Sequence, residues 1–226
     1  PIFAETKDLP KDQAQLAFEL PQRFHQKNVL VEVRAQGLVR SVQYFANDLA
    51  VRFVFPHAPS IPVTLNGGFV MPAWYDIRDV DLKNRHDEAG IRASAKKIEA
   101  LIAREVERGV PTRRIVLAGF SQGGAMAVHV ALRHAQPLAG LMALSTYLVC
   151  GDSIEAELSA ANRGLPTFCA HGTEDPMVRY ERGVALKQRL IAVGCDVTWR
   201  EYAMPHAVCM EEIAEIGEWL RARLAE

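Results

Sequence analysis

The sequence predicts an α/β fold, a doubly wound and mostly parallel sheet with helices on both of its faces. From residue 51 to residue 224, short apolar and β-branched runs alternate with longer segments of helical periodicity. Several of the runs are apolar at every position, as buried parallel strands are. A length of 226 residues suits one such domain rather than two. We therefore expect residues 1–226 to form a single domain.

Composition indicates an ordinary soluble protein without a nucleic-acid partner. Hydrophobic residues make up 49% of the chain and charged residues 23%, with a formal net charge of -1. This balance gives no electrostatic reason to expect binding to nucleic acid or to an anionic membrane. No apolar run is long enough to span a membrane, and no signal peptide opens the chain. A cytoplasmic location is the expectation.

The four cysteines indicate neither a metal site nor a disulfide framework. They are Cys150, Cys169, Cys195 and Cys209, spread singly along the chain without Cys-x-x-Cys spacing. Free thiols in a reducing compartment are the simplest interpretation. No metal is expected.

The first fifty residues give the weakest structural signal. Residues 12–20 fit a short helix and residues 29–33 a strand, but neither has clear capping or turn residues. The signal sharpens at residues 51–55, a compact strand that Pro56 ends. From there through Pro62 the prolines predict an extended, irregular segment.

A loop with two large aromatic residues follows the turn Asn66-Gly67-Gly68. It spans residues 71–76 and contains Trp74 and Tyr75. Two interpretations remain open at this point. The aromatic side chains line the wall of a pocket, or they anchor the loop to the core.

The second half of the chain alternates regularly. An amphipathic helix is predicted over residues 88–108, ended by Gly109 and Pro111. Residues 115–118 form a buried strand, and an Ala- and Val-rich helix follows it. The remaining predicted elements are strands at residues 138–144, 166–170 and 196–202 and helices at residues 180–193 and 210–224.

The centre of the pattern is Gly119-Phe120-Ser121-Gln122-Gly123, which fits Gly-x-Ser-x-Gly. The bare pattern also occurs in flexible loops, but here a strand precedes it and a helix follows it. A strand that turns into a helix within a few residues needs glycines, because a Cβ would collide with neighbouring backbone. The turn predicts a nucleophile elbow, which lifts the Ser121 hydroxyl to the sheet edge at a helix N-terminus.

A serine nucleophile needs a base and a group that orients the base. The loop after strand 166–170 offers Glu174 and Asp175, and the loop after strand 196–202 offers His206. Parallel strands end at one sheet edge, so these loops converge on the elbow. The order Ser121, Asp175, His206 is that of α/β-hydrolases. Glu174 is the alternative acid, and His206 could instead cap the last helix. The other histidines are expected to be packed or on the surface: His25, His57, His86, His129, His134 and His171.

From about residue 51 onward the chain resembles the carboxylesterase and acyl-protein thioesterase branch of the α/β-hydrolases, which also includes lysophospholipase-like enzymes. The resemblance covers about three quarters of the sequence. The matching stretches, in order, are Arg52-Phe53-Val54-Phe55-Pro56-His57-Ala58-Pro59, Pro62-Val63-Thr64, Trp74-Tyr75-Asp76, Ala118-Gly119-Phe120-Ser121-Gln122-Gly123-Gly124-Ala125, Ala143-Leu144-Ser145, His171-Gly172 with Asp175, and Met204-Pro205-His206.

The resemblance implies an α/β-hydrolase fold and a serine hydrolase without a cofactor, acting on carboxylic esters or acyl thioesters. Ser121 would carry the acyl-enzyme, His206 would act as general base and then acid, and Asp175 would orient His206. The backbone amide of Gln122 would donate to the oxyanion. The loop with Trp74 and Tyr75 would border the acyl pocket. Fold analogy also suggests a homodimer.

The departure from the family lies in residues 1–50, which are atypical. Members carry a His-Gly-Leu-Gly-Ala-Asp-like motif that supplies the second oxyanion donor, and Ala35-Gln36-Gly37-Leu38 is its nearest imitation here. A lost donor costs about 2.7 to 4 kcal/mol in transition-state stabilisation. The leading hypothesis is a carboxylesterase of short- to medium-chain esters. The alternatives are an acyl-protein thioesterase or lysophospholipase, and a catalytically impaired binding protein with this fold.

Overall fold

The computed structural model describes residues 28–33, 51–78 and 86–224. The strands in chain order are β1 Asn28–Val33, β2 Val51–Val54, β3 Ser60–Val63, β4 Phe69–Pro72, β5 Ile115–Phe120, β6 Gly140–Leu144, β7 Pro166–Gly172 and β8 Asp196–Tyr202. The α-helices are α1 Glu88–Glu107, α2 Gln122–Arg133, the single turn α3 Ile154–Glu157, α4 Tyr180–Ala192 and α5 Met210–Leu224. Helices and strands alternate as the sequence predicts.

The main sheet has six strands in the order β2-β1-β5-β6-β7-β8. Every neighbouring pair in this sheet is parallel. The strand order changes direction between β1 and β5, where Val33 is paired with Gly119. In open α/β sheets such a switch point leaves a crevice at the carboxyl ends of the strands. The Gly-x-Ser-x-Gly turn lies at this crevice.

Two apolar layers cover the sheet, one on each face. On one face, α1, α2 and α4 pack over a cluster that includes Ile115 and Leu117 of β5. On the other face, α5 packs through Ile216 and Leu220 against a cluster that includes Val116. Alternate residues of β5 therefore enter opposite layers, and all three are fully buried. Burial on both faces explains why the central strands β5 and β6 are apolar throughout rather than alternating.

Most predicted elements are confirmed, and one prediction is wrong. The segment through Pro62 was expected to be irregular, but β3 pairs antiparallel with β4, with Pro62 opposite Val70. In a two-stranded ribbon each strand has an unpaired side, so a proline that cannot donate a hydrogen bond is tolerated. The predicted strand at residues 29–33 is confirmed by β1. The predicted helix at residues 12–20 lies outside the described residues.

Glu212, on the first turn of α5, is a fully buried carboxyl group. Neither of its side-chain oxygens has a hydrogen-bond partner in the described part of the chain. Burial, the largest cause, and the charge of Glu215 together raise the pKa of Glu212 to about 8. The native protein therefore holds this carboxyl group protonated at neutral pH.

We expect Glu212→Gln to increase the free energy of unfolding more at high pH than at low pH. The carboxyl group titrates near pH 4.5 when unfolded and near 8 when folded, so between these values the native state binds more protons. The stability that Glu212 contributes is fully present below its unfolded pKa of 4.5. It is lost as the pH rises through its folded pKa of about 8. Between about pH 5 and pH 9 the advantage of the variant should grow on the order of 3 kcal/mol.

Urea denaturation at the two pH values measures this difference. Glu211→Gln is the matched control, because Glu211 lies on the same turn with its side chain exposed. It should change stability equally at both pH values. If Glu212→Gln changed the free energy of unfolding equally at both pH values, Glu212 would already be ionised in the native protein.

Candidate active site

Ser121 occupies a sharp turn between β5 and α2. Its φ is 54° and its ψ is -124°, a conformation that L residues rarely adopt. A Cβ on Gly119 would lie 2.2 Å from the carbonyl oxygen of Gly123, and one on Gly124 would lie 2.7 Å from Thr146 Cβ. The turn thus has the tight geometry predicted for a nucleophile elbow, and glycine is required at positions 119 and 124.

Several hydrogen bonds hold the strained backbone of Ser121. Its amide donates to the carbonyl oxygen of Leu144 at 2.9 Å. Its own carbonyl oxygen accepts from Thr146 Oγ1 at 2.6 Å and from the amide of Ala125 at 3.1 Å. Strain of this kind costs about 1 to 3 kcal/mol and persists only where the surroundings impose it. Ser121 itself is half-buried.

Asp175 and His206 form a short hydrogen bond across two loops. His206 Nδ1–H donates to Asp175 Oδ2 at 2.6 Å. The Asp175 side chain is 0% exposed, and its Oδ1 accepts from the amides of Met177 and Val178, each at 2.8 Å. An ionised carboxylate only accepts hydrogen bonds, and all three of these groups donate to it. The loop after β7 therefore presents Asp175 in one orientation toward His206.

The structure distinguishes between the two acidic residues of this loop. Glu174 is exposed, and its amide donates to the carbonyl oxygen of Met204 at 3.2 Å. Its neighbour Asp175 is the one that meets His206. The His206 ring also packs on the ring of Phe120, with centroids 4.6 Å apart. Since Phe120 directly precedes Ser121, this contact places His206 beside the elbow.

His171 is packed against the loop that carries Asp175. Its side chain is 1% exposed, and its Nε2–H donates to the carbonyl oxygen of Val178 at 2.8 Å. The same nitrogen lies 3.7 Å from Asp175 Oδ2. Burial holds the pKa of His171 below its ordinary value, so the ring is neutral. The prediction that His171 is packed or on the surface is therefore confirmed.

The backbone and the side chain of Gln122, the residue after the nucleophile, lie in different surroundings. Its backbone amide lies at the N-terminus of α2, where amide groups lack helical partners. Its buried side chain reaches the aromatic loop: Oε1 accepts from the amide of Trp74 at 2.9 Å, and Nε2 donates to the carbonyl oxygen of Tyr75 at 2.8 Å. The elbow and the aromatic loop are therefore joined directly.

Trp74 and Tyr75 are each 2% exposed and belong to the core under α1 and α2. The Tyr75 hydroxyl hydrogen-bonds to the hydroxyl of Tyr147 at 2.7 Å. Of the two interpretations of this loop, the structure matches the one in which the aromatic residues anchor it to the core. A contact of Trp74 or Tyr75 with substrate stays a prediction.

The region of the second oxyanion donor lies outside the described residues. Strand β1 ends at Val33, which pairs with Gly119 two residues before the nucleophile. The chain that follows β1, including Ala35-Gln36-Gly37-Leu38, belongs to residues 34–50, which the structure does not describe. The loss of the second oxyanion donor therefore stays a prediction.

The fold and the site together define an α/β-hydrolase. A serine stands on a strained strand-to-helix turn at the switch point of a parallel sheet, and a buried Asp–His pair lies beside it. Residues 34–224 match the phospholipase/carboxylesterase family, and the chain belongs to that family. The match begins at residue 34, earlier than the motifs indicated.

The relatives and structural neighbours agree with this assignment. Acyl-protein thioesterase 1 of Neurospora crassa is 43% identical over 183 residues, covering 77% of this chain and 74% of that protein. The acyl-protein thioesterase 1 of Gibberella zeae is 40% identical over 182 residues, covering 77% of each. The crystal structure of Arabidopsis thaliana SOBER1 is similar with a TM-score of 0.81 and 27% identity, covering 87% of this chain and 99% of that one.

The crystal structure of Zea mays acyl-protein thioesterase 2 has a TM-score of 0.75 and 26% identity, covering 92% of this chain and 97% of that one. These comparisons confirm the predicted family and the predicted α/β-hydrolase fold. They also confirm the prediction of a serine hydrolase that acts on esters or thioesters.

Within residues 28–33, 51–78 and 86–224, none of the helices is long and apolar enough to cross a membrane. The same residues contain no group of three or more His, Cys, Asp or Glu side chains that could hold a metal ion.

Proposed function

We propose that this protein hydrolyses acyl thioesters and carboxylic esters through an acyl-enzyme on Ser121. The hydroxyl oxygen attacks the acyl carbonyl, and the C–S or C–O bond to the leaving group then breaks. Water hydrolyses the acyl-serine in the second half of the reaction and releases the carboxylic acid.

His206 is the general base of both half-reactions in this proposal. It takes the proton from Ser121 and delivers it to the leaving thiol or alcohol, and it then activates the water. The observation that carries the proposal is the 2.6 Å hydrogen bond from His206 Nδ1 to buried Asp175. Because Nδ1 holds the proton and donates it in a hydrogen bond to Asp175, Nε2 has the free lone pair that a base requires.

The oxyanion hole in this proposal has one donor on each side of the switch point. The first is the amide of Gln122 at the start of α2, where the helix dipole also favours negative charge. In α/β-hydrolases the second donor follows the strand next to the elbow strand. The family match begins at residue 34, directly after β1, and this supports an active enzyme over an impaired binding protein.

For the natural substrate we propose a protein or peptide acylated on a cysteine side chain. The curated relatives named above are acyl-protein thioesterases, at 40% and 43% identity. A carboxylesterase of short- to medium-chain esters is the second candidate, because the family includes carboxylesterases. A single domain over residues 1–226, a cytoplasmic location and a homodimer stay predictions.

The substrate proposal is tested with two thioesters that differ only in the peptide. One is a short peptide with an octanoyl group on cysteine, and the other is octanoyl N-acetylcysteamine, which presents the same acyl group on a small thiol. For a protein thioesterase we expect kcat/KM to be at least about tenfold higher for the peptide, because remote contacts contribute to transition-state binding. p-Nitrophenyl butyrate serves as a simple ester in parallel.

Equal values for the two thioesters would make the carboxylesterase the leading candidate. A protein that is folded by circular dichroism but turns over none of the three substrates would support the impaired binding protein instead.

A further inference from the structure

We infer that the side chain of Gln122 is a positioning residue for the reaction, which fastens the aromatic loop to the elbow and so keeps the Gln122 amide aimed at the oxyanion. This inference rests on the proposed function. The side chain makes two hydrogen bonds to consecutive residues of the loop, accepting from the Trp74 amide at 2.9 Å and donating to the Tyr75 carbonyl at 2.8 Å. Both bonds are buried.

The loop is itself held firmly on its other side. Ser94 Oγ on α1 donates to the carbonyl oxygen of Trp74 at 2.5 Å, and the hydroxyl of Tyr75 meets that of Tyr147. The two aromatic rings lie in the core. Gln122 is therefore tied to a rigid part of the molecule, not to a mobile surface loop. The two hydrogen bonds of its side chain therefore restrain Gln122, which is the first residue of α2.

The position of Gln122 makes this tie important for chemistry. It follows Ser121, whose φ of 54° persists only if neighbouring contacts impose it. Thr146 holds the carbonyl of Ser121 on one side of the elbow. Gln122 holds the next residue on the other side. An oxyanion donor loses much of its effect if it moves by a fraction of an ångström, because its contribution depends on preorganisation.

The two hydrogen bonds to the loop require a side chain at position 122 that has both a donor and an acceptor. A neutral amide provides both at once, and a methionine of similar shape provides no donor and only a weak acceptor. Gln122→Met should therefore lower kcat for p-nitrophenyl butyrate at least about tenfold, with KM changed by less than about threefold, because the lost effect is on the transition state.

Thr167→Val is the matched control. It removes a buried hydrogen bond from Thr167 Oγ1 to the carbonyl oxygen of Leu165, which involves neither the aromatic loop nor the elbow. Both variants should lower Tm, since each removes a buried hydrogen bond. Only Gln122→Met should lower kcat, and Thr167→Val should keep it within about threefold. Equal losses of kcat in the two variants would reduce Gln122 to a structural role.

Gln122→Glu adds a test by pH. When its carboxyl group is protonated, the side chain can still accept from the Trp74 amide and donate to the Tyr75 carbonyl. When ionised, it has no proton to donate and repels that carbonyl. Burial raises the pKa of a carboxyl group, so the change should fall within the working range of the enzyme.

The ratio of kcat for Gln122→Glu to that of the wild type should be close to unity near pH 6 and should fall about tenfold by pH 9, while the ratio for Gln122→Met stays flat. An active wild type with flat ratios for both variants would overturn the inference. A wild type without Ser121-dependent hydrolysis would instead overturn the proposed function, so the two failures are distinguishable.

Discussion

Ser121→Ala is expected to reduce kcat for p-nitrophenyl butyrate at least about 10³-fold, and by up to about 10⁶-fold, the range found when nucleophiles of this kind are removed. The hydroxyl forms the covalent intermediate, and nothing else in the proposed mechanism can replace it. Covalent labelling by a fluorophosphonate probe should disappear in parallel. Rates and labelling are to be measured on protein whose circular dichroism matches the wild type.

Ser145→Ala is a suitable control for this experiment. Ser145 follows β6 directly, is fully buried, and its hydroxyl has no hydrogen-bond partner among the described residues. Its removal should leave probe labelling intact. Labelling that survives in Ser121→Ala and disappears in Ser145→Ala would transfer the nucleophile to the neighbouring strand end and remove Ser121 from the mechanism.

Asp175→Asn is expected to lower kcat by about 10⁴-fold. The asparagine oxygen can still accept from the amides of Met177 and Val178, so the loop should keep its shape. Its NH₂ group would face His206, however, and would favour the tautomer with the proton on Nε2. That tautomer cannot accept the proton of Ser121. The measurement is the kcat of folded variant protein with p-nitrophenyl butyrate.

Glu174→Gln provides the comparison, because Glu174 is adjacent in sequence and exposed. It should keep kcat within about threefold of the wild type. If Glu174→Gln were the more damaging of the two substitutions, the acid role would belong to Glu174 and the Asp175–His206 bond would be structural.

Apart from the single turn α3, the strands and helices from β5 onward could be predicted from the sequence to within a few residues. Strand β8 and helix α5 have the predicted bounds, residues 196–202 and 210–224. Each of these elements can be recognised within its own stretch of sequence, as an apolar run or as a segment of helical periodicity that is bounded by glycine or proline. The elbow was predictable for the same reason, since Gly-x-Ser-x-Gly requires its geometry within five consecutive residues.

Features that depend on distant contacts were not predictable in this way. The hairpin of β3 and β4 was missed because prolines in both strands hide the strand signal. The contacts of His171 with Val178 and Asp175 were not predictable because these residues come together only when the loop after β7 folds back. The two bonds of the Gln122 side chain join residues 47 and 48 positions apart.

The sequence by itself therefore determined the class of fold, the position of Ser121 and the order of the acid and histidine after it. Only the tertiary structure decided which carboxylate meets His206. Glu174 and Asp175 are adjacent, carry the same functional group and stand in the same loop, so the sequence favoured Asp175 but kept Glu174 as the alternative acid. The difference arises because the turn after β7 buries one side chain among three donors and leaves the other in solvent.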